Sequence, residues 1–333
     1  MATYKGIKGV KVVTKTSDPT ASEAEATVWY NSTGNALKYS IAGTGAWSSG
    51  GAMNTLRAQD GLAGSQTAAV ISGGAPPPGA TANAETYNGT AWTEVNNLNT
   101  GRSLSVGAGT QTSGLTISGH DGYLSYPVNV ELYNGTSWVE QNNVNTARHQ
   151  GGGSGLVSTA ALIYGGEGAS PVPAHKPKTE LYNGTSWTEV NDLNTGRTQN
   201  SSGGSSTSAI TTGGYVPPSP SALAETWDGT SWSVITVLNT ARQGPAGAAA
   251  SNTAALSFGG NEPPYSTKTE KWNGTAWTEL ADLATARFNG SGVGTSAVAL
   301  FTGGNPGSPA SEGATVTEEW NDPVYTIKTV TVS

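Results

Sequence analysis

The side chains able to carry chemistry fall into two periodic series and one scattered set. Six arginines, Arg57, Arg102, Arg148, Arg197, Arg242 and Arg287, recur in step with six glutamates, Glu85, Glu131, Glu180, Glu225, Glu270 and Glu318. Matched charges at one period form either structural ion pairs or a ring of guanidinium groups able to take a carboxylate or phosphate in bidentate fashion. Equal numbers of glutamates neutralise such a ring, so the pairing reading is preferred. The three histidines, His120, His149 and His175, share no spacing and suggest no metal site. With no cysteine, thiolate ligands, disulfides and a thiol nucleophile are excluded. No acid pair with a neighbouring tyrosine can be singled out, so no catalytic residue and no cofactor is assigned.

The elements that must position these groups are short. Each arginine follows a tryptophan by ten residues, and those tryptophans (Trp47, Trp92, Trp138, Trp187, Trp232 and Trp277) recur at intervals of 45 to 49. A period of that size marks a repeat architecture. Within a unit, ELYNGTSWVE at 131–140 reads as two strands around Asn134-Gly135. Asn88-Gly89, Asn183-Gly184, Asp228-Gly229 and Asn273-Gly274 repeat the signal, and a type I′ turn is expected at each. Upstream lies another strand pair ending in Gly-Gly, with Ser118-Gly119 in its place in the second unit. Four short strands cannot bury both faces of a sheet alone, so radial stacking of six such sheets is expected. Tryptophans recurring once per unit are expected to pack between sheets rather than to stack on sugars.

Arginine, strand, apolar strand with Gly-Gly, Glu-x-[Tyr/Trp]-[Asn/Asp] and tryptophan resembles the kelch repeat. That resemblance implies an all-β fold, a six-bladed β-propeller of four-stranded blades. It also implies that the first strand after each arginine (SVGAG 105–109, GGGSG 151–155, GPAGAAA 244–250) lines the central axis. The last unit has Arg287, Gly303-Gly304 and Glu318-Glu319-Trp320-Asn321, but Asp322-Pro323 replaces its fourth strand. The strand around Trp47, which has no inner strands before it, is therefore expected to complete the sixth blade and close the ring.

Residues 45–322 are assigned to the propeller, 1–44 to an N-terminal β arm with a hairpin at 28–40, and 323–333 to a C-terminal strand pairing with that arm. The β-branched, lysine-rich segments 6–15 and 325–332 are expected to pair with each other, with 17–27 as linker. This arm and its WYN hairpin, followed by repeats rich in Asn-Gly-Thr, resembles bacteriophage tail-fibre and related virion proteins. The resemblance implies a virion protein made in the host cytoplasm, in keeping with a start that lacks an apolar signal region. A net charge of −7 argues against nucleic acid, and no apolar run is long enough for a membrane span.

What differs between units points to a binding surface. The connections after each Gly-Gly vary in length and are rich in proline, which stiffens them and lowers the entropy cost of presenting a side chain. Ligand contacts are expected from His120, Asp121, Tyr123, Tyr126, His175, Tyr215 and Tyr265. In kelch propellers these connections share a face with the arginine-bearing turns. The expected function is non-enzymatic adhesion or assembly, with a host-surface glycan or another virion protein as partner and a homo-oligomer allowed. A sialidase-like enzyme is the alternative, because the NGTSW turn partly matches an Asp-box. A general kelch protein-interaction module is another. A copper oxidase of the galactose oxidase kind is excluded, since it needs a cysteine.

Overall fold

The protein is described by a computed structural model covering residues 12–19, 28–42, 45–75, 79–122, 126–168, 175–307, 313–322 and 325–330. It is all β among these residues and forms two compact units, residues 1–46 with 322–333, and residues 47–321.

In the larger unit each repeat becomes a four-stranded antiparallel sheet. The third sheet is representative: Gly152–Val157, Ala160–Tyr164, Thr179–Tyr182 and Trp187–Val190 pair in chain order. The second strand of every sheet is short and has its last four residues buried, as expected of a strand covered on both faces. The fourth strand buries its tryptophan and exposes the next two residues. The sixth sheet takes Ser291–Gly294, Val298–Thr302 and Thr317–Asn321 from the C-terminal side. Its fourth strand, Ala46–Ser49, comes from the N-terminal side and carries Trp47. The arrangement is propeller-like.

The Asn-Gly turns differ from the expected type I′ geometry. Tyr87 faces Trp92 across the turn, so four residues, not two, connect the strands. Only the glycine has positive φ (87° at Gly89, 95° at Gly229). The reason is the asparagine side chain: Asn88 Oδ1 accepts the amides of Thr90 (3.0 Å) and Ala91 (2.9 Å), an Asx turn that makes positive φ at the asparagine unnecessary. Asp228 does the same with Thr230 and Ser231, and these amides hold its carboxyl below the usual range.

Successive sheets are tied at the Gly-Gly pairs. A Cβ on Gly165 or Gly213 would lie 2.9 or 2.7 Å from the carbonyl oxygen of Arg197 or Arg242, the arginine of the next sheet. Ser118 occupies this position in the second sheet and converts the close approach into a hydrogen bond, its hydroxyl donating to the Arg148 carbonyl at 2.5 Å. The tryptophans make a second set of ties. Trp138 Nε1 donates to Asn96 O, Trp187 to Asn142 O and Trp277 to Thr236 O, each on the preceding repeat. Trp92 reaches Thr317 Oγ1 and Trp47 reaches Thr269 Oγ1 in the same sense.

All six Arg–Glu pairs are buried within their own sheets, which removes the cationic-ring reading. N···O distances are 2.5 Å for Arg57–Glu85 and Arg148–Glu180, 2.6 Å for Arg242–Glu270 and 2.8 Å for Arg287–Glu318. Arg102–Glu131 and Arg197–Glu225 pair in the same way. Burial pulls the guanidinium groups of Arg102, Arg148, Arg197, Arg242 and Arg287 below the ordinary arginine range. The second glutamate oxygen takes the main-chain amide and side-chain amide of an asparagine three residues before the arginine: Asn54, Asn99, Asn145, Asn194 and Asn239. In the sixth sheet this residue is Ala284, which offers Glu318 only its main-chain amide, at 2.7 Å. Ala284→Asn is therefore expected to stabilise the protein by about 1 kcal/mol, one added hydrogen bond to a charged acceptor at a partly wet site. Urea unfolding measures it, and an unchanged midpoint would show that the side-chain bond adds nothing.

In the smaller unit Val13–Lys15, Val28–Asn31, Ala36–Ala42 and Tyr325–Thr329 form one sheet in that order. The C-terminal strand does pair with the N-terminal arm, but through Ala36–Ala42. The expected direct pairing of 6–15 with 325–332 is corrected: Val13–Lys15 lies parallel to Val28–Asn31 at the opposite edge. Residues 6–11 lie outside the described part. Asp18 fixes this order by accepting Asn31 Nδ2 (2.7 Å) and Lys38 Nζ (2.5 Å), which tie the first segment to both strands of the hairpin.

Candidate functional site

In five of the six repeats the residue after the arginine pairs with the residue after the Gly-Gly (Ser118-Gly119 in the second), bringing the variable connections beside the arginine turns. Isolated bridges join Ser103 to His120, His149 to Glu167, Thr198 to Tyr215, Gln243 to Asn261 and Phe288 to Asn305. Three aromatic groups result. His120 and Tyr126 meet edge to face at 5.5 Å, and His149 stacks on Tyr126 at 4.9 Å with an interplanar angle of 11°. His175 meets Tyr215 at 5.7 Å, and Tyr265 meets Phe288 at 4.6 Å. All but His149 are partly exposed.

Of the contacts expected from sequence, His120 and Tyr126 are brought together, as are His175 and Tyr215. Tyr265 instead joins Phe288. Asp121 sits next to His120 and is partly exposed, while Tyr123 lies outside the described residues. His149 and Phe288 were not among the expected contacts. Their signal was positional: both directly follow an arginine of the series. Burial, with a smaller contribution from nearby His120, pushes the His149 imidazole down to about 4. It is therefore neutral at pH 7 and presents an apolar ring face to Tyr126. Because the unfolded chain binds that proton first, its contribution to stability is complete above about pH 6.5 and is lost as pH falls toward 4.

One residue further on, all six repeats adopt left-handed backbone: Gln59 (φ 62°), Leu104 (56°), Gln150 (57°), Gln199 (52°), Gly244 (61°) and Asn289 (56°). Their main chains form a cycle. Leu104 N donates to Gln59 O (2.6 Å), Gln150 N to Leu104 O (3.0 Å), Gln199 N to Gln150 O (2.7 Å) and Gly244 N to Gln199 O (2.8 Å). Asn289 N donates to Gly244 O (3.0 Å), and Gln59 N to Asn289 O (2.8 Å) completes it. These residues and the first strands of all six sheets line one cavity of ≈ 160 Å³. Its walls are mainly glycine, alanine and serine, and among the described residues Asp60 is the only charged one lining it. A second cavity of ≈ 200 Å³ shares Gln59 and Asn289 with it and includes Phe288.

Asp60 is buried, and neither carboxylate oxygen has a hydrogen-bond partner; the Ser291 hydroxyl donates to its main-chain oxygen instead. Desolvation overrides the attraction of Arg57 and raises the carboxyl to about 6. An acid raised in the folded state is protonated there while already ionised in the unfolded chain, so stability falls as pH rises from about 4 to 6. Asp60→Asn is expected to gain about 2–3 kcal/mol over the parent at pH 7.5 relative to pH 4, from a shift of about two units. Urea unfolding at the two pH values reads the difference, and equal offsets at both would contradict it.

The six outer tryptophans are occupied by packing, with Trp92, Trp138, Trp187, Trp232 and Trp277 buried. Among the described residues no group of three His, Cys, Asp or Glu is placed to hold a metal ion. No helix among them is long and apolar enough to cross a membrane. Comparison of the chain with protein-family models and with curated proteins finds no match to either.

Proposed function

We propose that this chain is a non-enzymatic adhesion or assembly module of a bacteriophage particle, a kelch-type six-bladed propeller that contacts a host-surface glycan through the face bearing the variable connections. The observation that carries the reading is the division of labour among the side chains. The periodic arginines, glutamates and tryptophans bond inward, whereas the aromatic pairs His120–Tyr126, His175–Tyr215 and Tyr265–Phe288 lie by the arginine turns and stay partly exposed. Aromatic faces with neighbouring polar groups suit sugar rings, which present C–H faces and hydroxyl edges.

Closure of the ring is supported by the main-chain cycle ending in Gln59 N to Asn289 O, and by Gly304 N donating to Arg57 O at 3.0 Å between the last and first repeats. The mixed origin of the sixth sheet fits the same reading. A sialidase-like enzyme needs an acid pair and a tyrosine at the channel mouth. The central cavity offers the single, buried Asp60.

The test is adhesion of the purified full chain to host cells and to a glycan array, beside a Tyr126→Ala, Tyr215→Ala variant. Loss of binding in the variant supports the reading. Parent protein that binds neither cells nor glycans but is retained on isolated virion proteins would replace adhesion with assembly.

A further inference from the structure

The left-handed residues lining the cavity are not explained by backbone needs alone. Gly244 shows that glycine satisfies this backbone position, yet Gln59, Gln150, Gln199 and Asn289 hold it at φ of 52–62°. Left-handed backbone is unfavourable for an L side chain, least so for asparagine, and such outliers gather at functional sites. Turn geometry accounts for the φ angle but not for the side chains. None of these four carboxamides has a side-chain hydrogen bond among the described residues, in contrast to Gln66 and Gln111, whose amides bond to main-chain carbonyls of the neighbouring sheet. The main-chain cycle fixes the spacing of all four, and each is partly exposed at the cavity.

We infer that Gln59, Gln150, Gln199 and Asn289 form an axial binding site for one neutral, hydroxyl-rich saccharide unit. A carboxamide offers both an acceptor oxygen and donor hydrogens, and a sugar hydroxyl both donates and accepts, so the two are matched in kind. An anion would meet no cation, because among the described residues the cavity lining holds no Lys, Arg or His. A cation would meet only Asp60, whose carboxylate is shielded from solvent. Leu104 gives the ring one apolar side chain for a sugar C–H face, and at Gly244, opposite it in the cycle, the space of a Cβ is taken by Asn289 Oδ1. Preorganisation by the cycle lowers the ordering cost of binding. The inference rests on the glycan reading of this face and locates the end of the chain's ligand on the axis.

The experiment is saturation-transfer NMR of the full chain with neutral methyl glycosides (glucoside, galactoside, N-acetylglucosaminide) and with glucuronate, followed by titration. The variant is Gln150→Gly, Gln199→Gly, which copies Gly244 and relieves the left-handed strain. A melting temperature equal to or above that of the parent is expected. Binding of at least one neutral glycoside with a Kd on the order of 1 mM is expected, weakened at least tenfold in the variant, with glucuronate not bound. No neutral glycoside bound, equal binding in parent and variant, or preference for glucuronate would each overturn the site. The two readings separate cleanly. A parent that adheres to cells while its glycoside binding ignores Gln150 and Gln199 loses the axial site and keeps adhesion. A parent that adheres to nothing, yet binds a glycoside in a manner dependent on Gln150 and Gln199, does the reverse.

Discussion

Arg148→Met is expected to destabilise the protein by about 3–5 kcal/mol, the usual cost of leaving one partner of a buried ion pair unpaired. Arg148 gives Nη2 to Glu180, Nη1 to the Lys178 carbonyl at 2.6 Å and Nε to the Thr146 carbonyl at 3.3 Å, with neither side chain of the pair exposed. The substitution frees the Lys178, Thr146 and, at 3.5 Å, Gly165 carbonyls, and leaves the Glu180 carboxylate with Asn145 and Thr146 alone. Glu180→Gln is expected to lose as much, for a different reason. Glu180 accepts four N–H groups, from Asn145 N (2.7 Å), Asn145 Nδ2 (2.9 Å), Thr146 N (3.1 Å) and Arg148, whereas a glutamine must turn its own NH₂ toward some of them. The double variant should fall well short of the sum, because one network is being removed twice. Urea unfolding of the two single variants and the double variant tests this. Single losses under about 1 kcal/mol would place the pair with weakly coupled surface bridges.

Trp138→Ala is the second large effect, expected at about 3–5 kcal/mol, the range for truncating a buried large aromatic side chain. Trp138 packs with Tyr133 and, from the preceding repeat, with Ala63, Val70, Ala84 and Leu98, and its indole N–H donates to Asn96 O at 2.9 Å. It is thus part of the interface between two sheets, and a cavity there opens the seam instead of one sheet's interior. Trp138→Phe keeps most of the apolar contact and loses the hydrogen bond, so about 1–2 kcal/mol is expected from the smaller ring and the unpaired carbonyl together. Similar losses for the two substitutions would mean that the hydrogen bond, not the packed area, dominates the seam.

The periodic part of this chain was legible because its spacing is imposed by geometry. Trp138, Arg148 and Glu180 occupy corresponding places in every repeat since each sheet must meet its neighbour in the same way, and a repeated contact leaves a repeated residue. The Asn that completes five of the six ion pairs is equally periodic and can be read from the Asn-Thr-x-Arg run at 54–57, 99–102, 145–148, 194–197 and 239–242. Turn type is not legible in the sequence, because Asn-Gly is compatible with two hairpin geometries. The choice was made by the Asn88 side chain bonding two amides, an interaction that depends on the register of Tyr87 with Trp92. Pairing within the smaller unit was likewise hidden, since β-branched segments such as 12–15 and 325–330 carry no mark of which neighbour they join.

By itself, then, the sequence determined the repeat, the strand content, the hydrophobic seams and the matched charges, all of which follow from local periodicity and composition. Only the tertiary structure decided that the charges are buried within sheets, that His149 stacks on Tyr126, and that Gln59, Gln150, Gln199 and Asn289 stand in one ring around a cavity. Those three facts depend on residues tens to hundreds of positions apart being brought together by strand pairing and by the packing of sheet on sheet. Such a juxtaposition is a property of the assembled sheets: spacing marks the residues one and two after each arginine as equivalent, but not what they meet.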